Sequence, residues 1–105
     1  MPTFVFTYRA PKGYARTADT GRAWWSWFDG MGDAVVDVGR PVVGRTALGN
    51  CSPDATELGG YSVVSADDLE AAIAIAKGCP YLDGAGGIEV GQLGELPASI
   101  TASRG

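Results

Sequence analysis

The sequence predicts an α+β domain of the ferredoxin-like βαββαβ type, with a four-stranded antiparallel sheet and two helices on one of its faces. Three observations predict it. Residues 3–9 alternate in polarity as a strand does, and residues 20–31 repeat large apolar side chains at helical spacing. Residues 65–77 form a second amphipathic segment with helix start and stop signals. Short strand-like segments between and after them complete the order.

The first predicted strand has an aromatic face. Phe4, Phe6 and Tyr8 point to one side, and the residues between them point to the other. Both sides are partly apolar, so the pattern does not decide which face the helices cover. Pro11 ends the strand, and a polar loop over residues 10–19 is expected to follow.

The first helix is predicted over residues 20–31, with Thr20 as its N-cap. One face of this helix carries a stripe of four large side chains: Trp24, Trp27, Phe28 and Met31. Trp25 lies about 100° away from the stripe. The stripe therefore favours packing against the sheet, and Trp25 favours a cleft wall or a dimer contact.

The stretch between the two helices is predicted to hold two strands. Residues 34–39 indicate a turn or a partial extra turn of helix, and Pro41 opens a second strand near residues 42–48. Residues 49–59 are rich in turn formers and indicate a long hairpin-type loop. Residues 60–65 alternate again and are predicted as the third strand.

The second helix has the clearest boundary signals. Ser65 followed by Asp68 resembles a capping box, and Lys77 complements the helix dipole in the last turn. Gly78 and Pro80 end the helix. Its expected buried stripe is Leu69, Ala72, Ile73 and Ala76.

The chain is long enough for one domain. Its 105 residues support a single core, which we assign to residues 1–96, with a last strand over residues 87–93. Residues 97–105 are predicted to be a flexible tail. Because the helices cover one sheet face and the other is partly apolar, we expect a homodimer packed sheet against sheet, forming a dimeric α/β barrel.

Composition argues against several functions. Eight Lys and Arg against twelve Asp and Glu give a net charge of −4, which is unlike the basic surface of a nucleic-acid binder. The sequence has no apolar stretch long enough to span a membrane and no signal-peptide pattern, so a cytoplasmic protein without a membrane partner is expected.

Cys51 and Cys79 are predicted to be free thiols. With no histidine, no metal or cofactor is expected.

The second helix and its flanking residues form a recognisable sequence pattern. Residues 60–72 read GYSVVSADDLEAA, and residues 76–80 read AKGCP. Together with Trp27-Phe28 and the run DVGRPV over residues 37–42, this pattern resembles the YCII-related (DGPF) family over residues 3–93. The resemblance implies a ferredoxin-like dimeric α/β barrel with a small cleft near the helices. Members mostly have no assigned function, and a few act on small cyclic or chlorinated aromatic compounds with a His–Asp pair.

The resemblance does not carry that catalytic pair over. The histidine of such members falls early in the first helix, in the region where this chain has Trp24. Asp37 is the counterpart of the acidic partner. Without the imidazole, the acid–base chemistry of those members cannot be transferred residue by residue.

Asp37 is the candidate catalytic residue, because it lies between two valines and a carboxylate in apolar surroundings needs hydrogen bonds. It is either a general base or a turn residue that accepts hydrogen bonds from backbone N–H groups.

Arginine side chains can bind a ligand carboxylate but also pair with acidic side chains, and indole rings can stack on a flat ligand. The ligand-binding candidates are Arg9, Trp24, Trp25, Arg45 and Asp83.

Three functions stay open at this point. The first is a homodimer that binds a small aromatic or cyclic molecule in a cleft by the first helix. The second is an enzyme of the lyase or hydrolase type with Asp37 as acid or base, and the third is a protein-interaction module. Catalysis near neutral pH without histidine requires a strongly shifted carboxylate or amine, so binding is favoured.

Overall fold

The computed structural model describes residues 1–51 and 55–97. Its strands are β1 (Thr3–Pro11), β2 (Val35–Asp37), β3 (Thr56–Ser65) and β4 (Gly87–Gln92). Its α-helices are α1 (Ala18–Met31) and α2 (Leu69–Ala76). The strands form one antiparallel sheet in the order β2-β3-β1-β4. The predicted α+β ferredoxin-like fold is confirmed.

The aromatic face of β1 is the one that the helices cover. Phe4 and Phe6 are fully buried, and Tyr8 is only 5% exposed. The Trp27 ring of α1 stacks on Phe6 with ring centroids 6.0 Å apart. Its indole N–H also donates a hydrogen bond to the carbonyl of Ile75 in α2, at 3.1 Å. Trp27 therefore joins both helices to the central strand.

Helix α1 begins earlier than the sequence predicted. Its N-cap is Thr17, whose hydroxyl accepts a hydrogen bond from the backbone N–H of Thr20 at 3.2 Å. The Thr20 hydroxyl accepts in return from the Thr17 backbone N–H at 2.8 Å. The prediction of Thr20 as N-cap is wrong because this threonine fills the third helical position of a capping box, where Glu or Gln is usual.

The region after α1 also differs from the prediction. The predicted extra turn of helix begins earlier than residues 34–39, as a 3-10 helix over Gly32–Ala34. β2 then occupies residues 35–37 and pairs with β3. The strand predicted over residues 42–48 is absent from this described segment. Pro41 forms only an isolated bridge with Gly60. The edge of β3 is thus occupied by β2 and this bridge, and Val43 is left 92% exposed.

Strand β3 begins at Thr56, inside the predicted loop of residues 49–59. Two consecutive glycines, Gly59 and Gly60, lie within it and interrupt the alternation of side chains that a strand normally shows. The β1–β3 register shifts at Tyr8, opposite this glycine pair. The glycines therefore mark an irregularity inside a strand rather than its beginning.

Helix α2 is capped by Asp68, whose carboxylate accepts from the Ala71 backbone N–H at 2.8 Å. The prediction of Ser65 as cap is wrong, since Ser65 is the last residue of β3. Two of the four residues of the predicted buried stripe are buried. Ala72 and Ala76 are buried, whereas Leu69 and Ile73 are 43% and 38% exposed. The small alanine side chains are the ones that face the sheet.

The remaining expectations concern the cysteines and the chain end. Cys51 is an exposed free thiol and Cys79 a buried one. Of the predicted tail, residues 98–105 lie outside the described residues. No helix in the described part of the chain is long and apolar enough to cross a membrane.

A substitution at Gly39 tests how closely the edge of the sheet is packed. Its φ is +77°, and a side-chain carbon there would overlap the carbonyl oxygen of Tyr61. We expect Gly39→Ala to lower the free energy of unfolding by about 2–4 kcal/mol. Gly44→Ala is the matched control, because a carbon at Gly44 meets open space. Equal urea midpoints for the two variants would contradict this packing.

Cys79 makes stability fall in alkaline solution. Burial raises the pKa of its thiol from 9.0 to about 11, so the unfolded chain loses this proton first as the pH rises. The contribution to stability is complete below pH 9 and is lost by about pH 11, a loss of about 2 kcal/mol. Urea unfolding at pH 8, 9, 10 and 11 measures it. The decline should be shallower in Cys79→Ala, and an unchanged slope would count against the assignment.

Candidate functional site

A cavity of about 320 Å³ lies beside α1. It is bordered by α1, by residues 38–41 and by residues 59–61 of β3. This volume is at the lower end of the range for small-molecule sites and suits a ligand of one or two rings. The cavity lies on the helix-covered side of the sheet, because Tyr8 of the buried β1 face also lines it.

Aromatic side chains form most of the cavity wall. Helix α1 contributes Trp24, Trp25 and Phe28. The Trp24 ring meets Tyr8 and Tyr81 edge to face, with ring centroids 4.9 and 4.8 Å apart. Trp24 is thereby fixed from two sides, while Trp25 is 66% exposed at the rim. The wall offers both a rigid ring and an accessible one.

A short hydrogen-bond chain lies behind the wall. The Tyr8 hydroxyl donates to the Ser62 hydroxyl at 2.8 Å, which donates to the Val38 carbonyl at 2.6 Å. Burial raises the pKa of Tyr8 well above its ordinary value, and it raises the pKa of Tyr81 as well. Both phenols are therefore neutral hydrogen-bonding groups at neutral pH rather than bases.

Two arginines carry the charge of the cavity lining. Arg16 directly precedes the N-cap of α1, and Arg40 follows Gly39 at the edge of the sheet. No Asp or Glu is among the described residues that line the cavity. The lining is therefore aromatic and positively charged.

Comparison with known proteins agrees with the fold. The sequence profile of the YCII-related domain matches residues 1–95. The chain belongs to the YCII-related family. No curated protein and no solved structure matches the chain significantly. The resemblance in the second helix and its flanks is thus confirmed at the level of the family.

In this YCII-related chain, two of the predicted ligand-binding residues lie at the cavity. They are Trp24 and Trp25. Sequence reasoning missed Tyr14, Arg16, Arg40 and Tyr81, which the cavity also contains. These residues come from three separate loops and turns, and no spacing in the sequence signals that they meet.

Arg9 and Arg45 do not line this cavity and lie beside a second surface depression. Arg9 follows Tyr8 on β1 and therefore points to the opposite face of the sheet. Its guanidinium donates to the hydroxyl and the carbonyl of Thr56 at 3.3 and 3.1 Å. Arg45 forms an ion pair with Glu57 at 2.9 Å and donates to the Leu58 carbonyl at 2.9 Å. Both arginines are engaged within the chain.

The two acidic candidates lie beside the cavity rather than on its wall. Asp37 is exposed at the end of β2, and its carboxylate accepts a hydrogen bond from the Gly39 backbone N–H at 2.9 Å. This is the turn arrangement that the sequence left open as an alternative. Asp83 is exposed at the end of a 3-10 helix, Pro80–Asp83, which also carries Tyr81. Neither carboxylate is a cavity-lining group.

The described residues also do not assemble a metal site. No three His, Cys, Asp or Glu side chains among them come together as ligands would. What the arrangement can do chemically is to hold a flat molecule by its faces and edges, and to offer it guanidinium and neutral hydroxyl groups.

Proposed function

We propose that this YCII-related protein binds a small aromatic or cyclic molecule in the cavity beside α1. The observation that carries the proposal is the aromatic wall of Trp24, Trp25, Phe28 and Tyr81 around about 320 Å³ of space. Aromatic pairs contribute about 0.5–1.5 kcal/mol beyond their buried area. Such contacts add to the apolar area that one ring system would bury against this wall.

The ionisable groups at the cavity favour binding over acid–base chemistry. Tyr8 and Tyr81 are neutral near pH 7, because a phenol ordinarily titrates near pH 10 and burial raises the pKa of both further. The carboxylate of Asp37 is occupied by the turn that it forms with Gly39. The wall therefore offers contacts to a ligand without a group that exchanges protons at neutral pH.

Binding is tested with two probes of the same shape, 2-naphthoate and 2-naphthamide. At least one should bind with a Kd below about 100 µM in calorimetric titration. We expect Trp25→Ala to weaken binding about three- to tenfold with little change in stability, because Trp25 is exposed at the rim. Val43→Ala, at a 92% exposed position outside the cavity, is the control.

The proposal fails if neither probe binds and native mass spectrometry of gently purified protein shows no retained small molecule. It also fails if Val43→Ala weakens binding as much as Trp25→Ala does.

We further propose that the chain forms a homodimer through the sheet face that the helices leave open. Val5 on β1 pairs with Val63 on β3, and both side chains are half-buried on this face. Tyr61 on the same strand is 38% exposed. A second copy packed sheet to sheet would cover these apolar side chains.

Val5→Glu tests this interface. A carboxylate without a partner inside a sheet-to-sheet contact costs several kcal/mol, so the dimer Kd should rise about 100-fold. Sedimentation velocity over the micromolar range measures it. The matched control is Leu69→Glu, which puts the same charge on an exposed position of α2. A wild-type monomer throughout this range would refute the homodimer and favour a different protein partner for this face.

A further inference from the structure

The charge of the cavity lining is opposite to that of the chain. The chain has twelve acidic and eight basic residues. The lining contains Arg16 and Arg40 and no acidic residue among those described. An uncharged aromatic ligand would gain no charge–charge attraction from these two arginines.

The two cavity arginines are also unpaired within the described structure. The ion pairs among residues 1–51 and 55–97 are Arg22 with Asp19 and Arg45 with Glu57. Arg9 donates to Thr56. The guanidinium groups of Arg16 and Arg40, in contrast, form no ion pair or side-chain hydrogen bond with any described residue, although guanidinium carries five donors.

Backbone contacts beside the cavity fix the positions of Arg16 and Arg40 in the chain. Arg40 follows the turn that Asp37 and Gly39 form, and its carbonyl accepts from the Tyr61 N–H at 3.4 Å. Gly39 packs so closely on Tyr61 that no side chain fits there. Arg40 is thus anchored at its backbone while its side chain is free.

Arg16 is placed by the start of α1. It directly precedes the N-cap Thr17, whose capping box fixes the first turn. The N-terminal end of a helix carries a partial positive charge, which adds to the guanidinium charge on this side of the cavity. The charges of Arg16 and Arg45 both oppose the rise in the pKa of Tyr81, which lines the cavity.

We propose that the cavity is selective for an aromatic or cyclic anion, with the ring against the tryptophan wall and the anionic group held by Arg16 and Arg40. A ring carboxylate fits this description best, because guanidinium groups match carboxylate oxygens in a bidentate geometry. The inference rests on the proposed function, since it names the ligand class of the same site.

The test compares 2-naphthoate with 2-naphthamide, which share a shape but differ in charge. We expect wild-type protein to bind the carboxylate about tenfold more tightly at 50 mM salt, with the preference reduced at 500 mM salt because exposed charges are screened. The double variant Arg16→Gln/Arg40→Gln should lose the preference and keep its affinity for the amide.

The control variant is Arg22→Gln/Lys77→Gln. It removes two positive charges at exposed positions outside the cavity and should keep the tenfold preference. Circular dichroism and thermal unfolding establish that both double variants fold.

The possible outcomes separate the two proposals. Equal binding of carboxylate and amide by wild-type protein would overturn the selectivity for anions and leave the aromatic site standing. A preference that survives in Arg16→Gln/Arg40→Gln, or disappears in the control, would overturn the assignment to these two arginines. Failure of both probes to bind would overturn the inference, and the absence of a retained small molecule in native mass spectrometry would then remove the site itself.

Discussion

The burial of one aromatic strand face under two helices is the interaction on which the rest of this structure depends. β1 lies between β3 and β4, so both of its edges are hydrogen-bonded and its side chains can be covered only from above or below. Phe4 and Phe6 fill the space beneath the helices. Trp27 then stacks on Phe6 and donates to the Ile75 carbonyl, which joins α1, α2 and the sheet through one side chain.

The candidate site is an extension of that core rather than a separate structure. Tyr8 belongs to the buried face of β1 and also lines the cavity. Trp24 follows the same helical stripe as Trp27 and packs on Tyr8 and Tyr81. Because close-packed interiors resist deformation, we expect this inner wall to be more rigid than the rim, where Trp25 is 66% exposed.

The sequence predicts the periodic elements well and the irregular ones poorly, for physical reasons. The alternation in β1 and the stripe in α1 identify a strand and a helix directly. β2 is only three residues long, too short for a pattern, and the Gly59–Gly60 pair interrupts the pattern of β3. For the site, Trp24 and Trp25 could be predicted because they share a helix. Arg40 could not, since its position depends on a tertiary contact between Gly39 and Tyr61.

The alternation in β1, together with its buried face, also separates Arg9 from the cavity. Tyr8 faces the helices, so its neighbour Arg9 must face the other side of the sheet. Once the buried face of β1 is known, Arg9 ceases to be a candidate for the aromatic cavity. The sequence left that face undecided, because both sets of side chains are partly apolar. The undecided face therefore kept Arg9 among the candidate arginines at the level of the sequence.

The turn at residues 37–42 connects the family resemblance to the chemistry of this chain. Asp37 accepts the Gly39 N–H, and Gly39 fits against the Tyr61 carbonyl where only glycine can. The acidic residue therefore has a structural reason to be present that does not require a histidine partner. In the first helix, the region where the resemblance expects that histidine holds the indole of Trp24 in the cavity wall. In place of an acid–base pair, the chain therefore has the Trp24 indole and Arg40 among the residues that line the cavity.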